Sequence, residues 1–214
     1  MSNFFSLNNP VWNFLGKLAD VFVLTVFWFV CSIPIVTIGA SSSAMYYCCL
    51  KLTRDEEGYI YRQFFKAFKD NLGKGIVIGV LMLLFGGILG FNLWFYMTVE
   101  SSFSKPMFVI MLMFLWAYLM VLHYVFAVQA QFENTIKNTL LFSFALAIRK
   151  LGWTVIMLSV TVLIVVGGFT VFLPLLLLAP GLVPFINSYI LNRCFKPYLE
   201  AAEEESAGEG MTEE

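Results

Sequence analysis

Residues 21–50 read VFVLTVFWFVCSIPIVTIGASSSAMYYCCL, thirty consecutive residues without a charged side chain. A helix crossing the hydrocarbon core of a bilayer needs about 20 apolar residues, so this run is too long for one ordinary upright span. Ser32-Ile33-Pro34 and Gly39 interrupt it, and Ser41-Ser42-Ser43 follow. Proline removes a helical hydrogen bond and disfavours helix at the residue before it. The run therefore predicts a span over about 12–33, a turn over 34–39 and a returning helix over 40–52. That second helix is short, which leaves a re-entrant or interfacial reading open beside a crossing one.

Outward from this hairpin the same signal recurs. A polar stretch over 51–74 holds six bases and four acids, and uncharged spans follow over 75–99 and 107–132. Residues 151–192 are uncharged for forty-two residues and are broken at Pro174, Pro180-Gly181 and Pro184, which predicts two spans, 151–173 and 179–195. The expected fold is all-α, a polytopic membrane helix bundle over residues 1–199. It has six transmembrane helices, or five if 40–52 does not cross, with cytoplasmic amphipathic helices between them. Composition agrees: the chain is 60% hydrophobic and 13% charged, with a mean hydropathy of +0.82, whereas soluble domains carry about 25% charged residues. A secreted disulfide domain, a nucleic-acid binder and most soluble enzyme folds are excluded. An uncleaved first membrane helix fits better than a signal peptide, whose apolar core is shorter.

The net charge of −1 conceals an asymmetry: residues 1–199 hold 13 bases and 7 acids, whereas 200–214 hold seven acids and no base. Such an acidic tail is expected to be a disordered, solvated coil. Cytoplasmic loops carry the excess of Lys and Arg. With six spans, every base except Lys105 falls inside; with five, Lys17 also falls outside. Both arrangements put the C-terminus in the cytoplasm. Cys31, Cys48, Cys49 and Cys194 form no C-x-x-C pair and read as free, small apolar residues rather than a disulfide or metal framework.

Three groups of residues could carry function. Tyr61, Phe64, Phe65, Phe68 and Leu72 share one face at helical spacing, with Arg62, Lys66, Lys69 and Asp70 off it. Such a helix suits the headgroup layer of the lipid bilayer, its bases toward anionic lipid; a partner-docking face and simple packing under the bundle are the other readings. Gly75, Gly79, Gly86 and Gly90 fall within about 60° of one another at 100° per residue, as two G-x-x-x-G pairs. That is the usual device for close helix approach, within one bundle or between two copies in a homo-oligomer. Inside the spans there is no Asp, Glu, Lys or Arg away from the ends, and the candidate intramembrane polar residues are Asn92 and His123. Gln129, Gln131 and Asn192 are expected near headgroup depth with no special role. One histidine, no paired carboxylates at membrane depth and no nucleotide or hydrolase motif give no catalytic residue, no metal ligands and no cofactor.

Two short segments also read alike at an offset of 79. Phe65-Lys66-Ala67-Phe68 leads to Asn71-Leu72-Gly73, and Phe144-Ala145-Leu146-Ala147 leads to Lys150-Leu151-Gly152, each ahead of a span. Either an internal duplication or the common pattern of basic helix then span accounts for this.

The run Trp28 to Gly39, with Ala44-Met45-Tyr46-Tyr47, Glu56-Glu57-Gly58-Tyr59 and Phe64 to Asn71, resembles the YesL-like family of small bacterial integral membrane proteins, a domain of unknown function. The resemblance covers about the first hundred residues, and its S-x-P-x-V-T-x-G run is its most specific part. It implies a multi-pass protein of the bacterial cytoplasmic membrane that accompanies carbohydrate uptake, with components of a sugar ABC importer as partners. No activity is established for that family, so no site residues follow from it. The expectation is a non-enzymatic accessory or regulatory protein. The alternative is a small transporter or channel component with a path between the broken helices, which a polar cavity reaching His123 or Asn92 would favour.

Overall fold

A computed structural model describes residues 10–56, 58–99, 103–170 and 172–210. Eight helices and no strand occur among the described residues: α1 (Pro10–Cys31), α2 (Ile38–Thr53), α3 (Ile60–Asp70), α4 (Leu72–Thr98), α5 (Ser104–Gln131), α6 (Ile136–Arg149), α7 (Leu151–Thr170) and α8 (Leu173–Gly210). A single 3-10 turn, Ile35–Thr37, joins α1 to α2. Five helices are long and apolar enough to cross a membrane: α1, α4, α5, α7 and α8. The protein is thus a multi-pass membrane protein.

The sixth expected span, 40–52, corresponds to α2, which has 16 residues. At 1.5 Å per residue it is about 24 Å long, shorter than the hydrocarbon core of about 30 Å, and it is not among the five. What α2 lacks in length it has in burial. Gly39, Ala40, Ser41, Ser43, Ala44, Met45, Cys48, Cys49 and Leu50 are all buried, and α2 packs against α1, α3, α4, α5 and α8. Its small N-terminal residues allow this. Ser41 and Ser43 return their hydroxyls to carbonyls of their own helix, so the buried face carries few unspent donors.

The hairpin is closed at both ends. Ser32 and Ser41 share a hydroxyl hydrogen bond of 2.6 Å, and Trp28 Nε1 donates to Ser42 Oγ. Thr37 Oγ1 donates to the carbonyls of Cys31 and Pro34, holding the turn. At the other end Lys17 Nζ lies 2.6 Å from Asp55 Oδ1, so the start of α1 sits beside the end of α2. Asp55 has φ 57°, a left-handed conformation that Asp tolerates better than most residues. Glu57, the third acid of that turn, lies outside the described residues.

The turn rests beside the second turn of α4. A Cβ on Gly79 would stand 2.8 Å from Gly39 Cα, and one on Gly75 would stand 2.7 Å from Ala40 Cα. From Gly79, α4 continues nineteen residues to Thr98, about 28 Å further. The hairpin tip therefore reaches only the lower part of α4, and its side chains there are apolar and open, with Ile33 77% and Ile35 68% exposed.

The offset of 79 also appears in the order and burial of the helices. Shifting α3 and α4 by 79 residues superposes their sequence positions on α6 and α7, each pair a short helix, one intervening residue and a long helix. Five of the seven buried positions of α3 and α4 then fall on buried positions: Phe64 on Ser143, Ala67 on Leu146, Gly75 on Thr154, Ile78 on Met157 and Leu89 on Gly168. The two exceptions, Gly79 and Met82, face the hairpin and the cavity described below.

The last helix departs from expectation. Its span was expected over 179–195 with a disordered coil after 199, whereas α8 runs from Leu173 to Gly210 through Pro180, Pro184 and Pro197. The Ala- and Glu-rich stretch 200–206 consists of strong helix formers, so the helix continues where charge alone suggested coil. Residues 211–214 lie outside the described residues.

Gly39→Leu or Gly79→Leu should lower thermal stability in detergent markedly, because each forces a side chain into backbone; overpacking costs about 1–3 kcal/mol or more. Gly90→Leu should leave the melting temperature unchanged, since nothing lies within 4 Å of its Cβ position.

Candidate functional site: the arginine clamp, the amphipathic helix and a bundle cavity

Polar side chains collect where α2 and α5 end beside the middle of α8. Arg54, just beyond α2, donates through Nε to Asn192 Oδ1 at 2.7 Å and through Nη2 to Gln131 Oε1 at 2.9 Å, with Glu56 3.6 Å from Nη1. Asn192 Nδ2 in turn donates to the Leu50 carbonyl and to Thr53 Oγ1. Gln131 and Asn192 were expected to need no role; they tie three helices to one guanidinium. Nothing in the sequence pairs residues 77 and 138 positions apart, although a lone Arg directly after a buried helix was a signal to look for acceptors. Neighbouring Gln129 Nε2 reaches Asn71 Oδ1 at 3.4 Å, at the head of α4.

The amphipathic helix α3 resolves into three faces. Phe64 and Ala67 are buried and Phe68 is half-buried, all packed on the α1–α2 hairpin; Phe64 stacks on Phe68 and lies 5.8 Å from the Phe27 ring. Tyr61 and Phe65 are each 47% exposed, although Phe65 also approaches Phe27 at 5.3 Å. Arg62, Lys66 and Lys69 are exposed on the third face. At 100° per residue, Tyr61 and Phe65 form a stripe between the packed face and the bases, whereas Leu72 lies beyond α3 as the half-buried first residue of α4. The five apolar residues that sequence periodicity groups together are thus divided: Phe64 and Phe68 pack on the bundle, Tyr61 and Phe65 face outward, and Leu72 belongs to the next helix.

The glycines of α4 divide as well. Gly75 and Gly79 receive α2, while Gly86 faces α5, where its Cβ would stand 2.7 Å from the Tyr118 hydroxyl. That hydroxyl donates to the Met82 carbonyl. Gly90 meets nothing, so the packing role expected of it has no partner among the described residues. Asn92 donates back to the Ile88 carbonyl of its own helix and is not brought near His123.

His123 is buried. Its Nδ1 lies 2.8 Å from the Leu119 carbonyl, which can only accept, so Nδ1 carries a hydrogen; Nε2 lies 2.9 Å from Thr161 Oγ1 on α7. The next residue, Tyr124, meets Thr154 Oγ1 at 2.9 Å. His123 and Thr161 line a cavity of about 420 Å³ that α1, α2, α4, α5, α7 and α8 all border, with Trp28, Tyr46, Met82 and Pro180 among its walls. It sits over the start of α2: α4 and α8 each pack on α2, and above Ile38 that filling helix is absent. Met82 and Thr161, equivalent at the offset of 79, are both in its wall. Among the described residues no group of three His, Cys, Asp or Glu could hold a metal ion, and all four cysteines are free, three of them buried.

Asn192→Leu should lower detergent stability by about 1.5–3 kcal/mol, the usual worth of a hydrogen bond to a charged group, because Arg54 loses its closest acceptor. Thermal unfolding monitored by circular dichroism checks this.

No curated protein and no solved structure matches the chain. Residues 21–93, which run from within α1 through the hairpin and α3 into α4, match a family described as "Protein of unknown function, DUF624", so the part of the chain shared with that family is the one holding the glycine contact and the amphipathic helix.

Proposed function

We propose that the protein is a non-enzymatic component of the bacterial cytoplasmic membrane that acts by binding at its cytoplasmic face, accessory or regulatory to carbohydrate uptake. The observation that carries this is the division of α3. One face is fixed to the bundle, which leaves an aromatic stripe beside three bases at the end where the loop bases gather. Aromatic side chains at the acyl boundary with Lys and Arg beside them suit a surface of anionic lipid. The link to carbohydrate uptake, including a sugar ABC importer as partner, rests on the family resemblance alone. The C-terminus is cytoplasmic in this reading, and α3 and α6 are cytoplasmic interfacial helices.

The hairpin fits a re-entrant element. The Lys17–Asp55 pair joins the first third of α1 to the turn after α2, which supports one side of the membrane for both and argues against α1 crossing without α2. Either both cross, or both enter and leave at the cytoplasmic face. The apolar, open tip at Ile33 and Ile35, low on α4, favours the second. Four crossings by α4, α5, α7 and α8 then leave both termini inside.

A second reading, a transport path, draws support from the cavity that reaches His123 beside Pro180 and Pro184 of α8. Proline inside a membrane helix leaves carbonyls without their helical partners, which is tolerated where the helix is buried or lines a cavity.

The two readings separate in cells lacking the protein. Tyr61→Glu with Phe65→Glu should fail to restore the deletion phenotype on carbohydrate growth, while both side chains, being exposed, leave the bundle folded. His123→Leu should restore it nearly in full. The opposite pattern would place the working part within the membrane.

A further inference from the structure

The cavity over the start of α2 is open on one side. Leu83 of α4 lines it and is nonetheless 45% exposed, so at that residue the cavity reaches the surface of the bundle. The walls of the opening can be followed away from α2. On α4, Gly79 and Leu83 line the cavity, and Gly87, Gly90 and Trp94 continue their face at spacings of four, three and four. A Cβ on Gly87 or Gly90 would meet nothing within 4 Å, and Trp94 is exposed. On α8, Pro184 and Pro180 line the cavity, and Leu177 and Leu173, which continue that face toward the helix start, are exposed. The two helices each pack on α2 but not extensively on one another. The cavity therefore runs out into a cleft between two apolar faces, continuous with the surface that the bundle turns to the bilayer.

The chemistry of the wall selects hydrocarbon. Among the described residues no Asp, Glu, Lys or Arg lines the space, so a charged group inside would be an unpaired ion at low dielectric. The polar side chains of the wall are engaged within the protein. Trp28 Nε1 donates to Ser42 Oγ and the Tyr118 hydroxyl to the Met82 carbonyl. His123 is held between Leu119 and Thr161, and Tyr46 is turned to the Asn187 amide. Water fits poorly: about 420 Å³ would take about fourteen molecules at about 30 Å³ each, every one wanting about three hydrogen bonds. A further helix fits poorly too, since a cylinder about 10 Å across uses that volume in about one turn of 5.4 Å. A single hydrocarbon chain is narrow enough, and it restores the dispersion contacts that the lining atoms of a void forfeit.

Length agrees with this. Trp94 lies four residues before the end of α4, where tryptophan marks the membrane–water boundary. From Trp94 to Leu83 is eleven residues, about 16 Å, close to half of a hydrocarbon core of about 30 Å. A lipid chain whose ester sits beside Trp94 thus reaches the mouth of the cavity with its last carbons.

We propose that the cavity and its cleft are a lateral binding site for one acyl chain of a phospholipid from the leaflet at the Trp94 end of α4. The chain passes between α4 and α8, its last carbons lie over Ile38 and Met45 of α2, and the headgroup stays at the surface. The site belongs to the interior of the bundle and stands whether or not α3 binds at the membrane surface.

The test uses the full-length protein in nanodiscs of phosphatidylcholine doped with a phosphatidylcholine that carries a diazirine near the end of one acyl chain or, in a second preparation, near its ester. Labelled positions are read by mass spectrometry. The end-of-chain probe should label Met45, which is fully buried, and Val183, whereas the near-ester probe should label the Trp94 region and leave those two unlabelled. Gly87→Phe and Gly90→Phe put a ring into the cleft where no neighbour stands. Each should lower labelling of Met45 and Val183 by about tenfold with the melting temperature unchanged. Absence of that labelling, equal labelling by the two probes, or labelling unchanged in both glycine variants would overturn the proposal. Cross-linking of two copies through Gly90→Cys, in a chain freed of its native cysteines, would also overturn it by giving the cleft to a second copy. If neither phenylalanine variant folds, the comparison of the two probes decides alone.

Discussion

The close approach of Gly39 and Ala40 to Gly75 and Gly79 is the constraint on which the other features rest. Between two apolar helices in a bilayer no hydrophobic force favours contact over lipid; packing has to come from surfaces that fit. Gly39 and Ala40 on α2 and Gly75 and Gly79 on α4 let backbone meet backbone. That contact sets α2 between α4 and α8, and α2 then supplies the wall on which α1 and α3 are built. The Arg54–Gln131–Asn192 group fixes the far end of the same helix. α2 is therefore held at its start by shape and at its end by charge-assisted hydrogen bonds.

The consequences run in two directions. Below, the hairpin gives α3 a surface for Phe64 and Ala67, and this orients Phe65, Tyr61 and the bases outward. Above, because α2 begins beside Gly79 and not at the far end of α4, the gap between α4 and α8 is left as a cavity. His123 and Thr161 stand in its wall. The two candidate functional regions, one at the membrane surface and one inside, are products of a single packing decision.

The ends of α1, α4, α5 and α7 were legible within three residues, because proline, glycine and runs of apolar residues have direct effects on the backbone and on span length. The status of α2 was not. Its shortness was visible and left a re-entrant reading open, but Gly39 was read only as a break in the run and not as a packing position against α4. The face of α3 was legible as a periodicity, yet hydropathy treats lipid and protein alike, so Phe64 and Phe65 could not be told apart. The partners of Arg54 and Gly86 lie far away in sequence, and no local pattern announces them. The C-terminal helix beyond residue 199 was missed because charge was weighed and helix propensity was not.

The depth of the α1–α2 tip tests the account most directly. With the native cysteines replaced, Ile35→Cys and Phe103→Cys, the latter between α4 and α5, are exposed to a membrane-impermeant maleimide applied to the outer face of intact cells. A re-entrant hairpin predicts rapid labelling at position 103 and none at position 35, with position 35 instead reached by a lipid-soluble maleimide. Equal labelling of both positions from outside would mean that α1 and α2 each cross the membrane and would contradict the account.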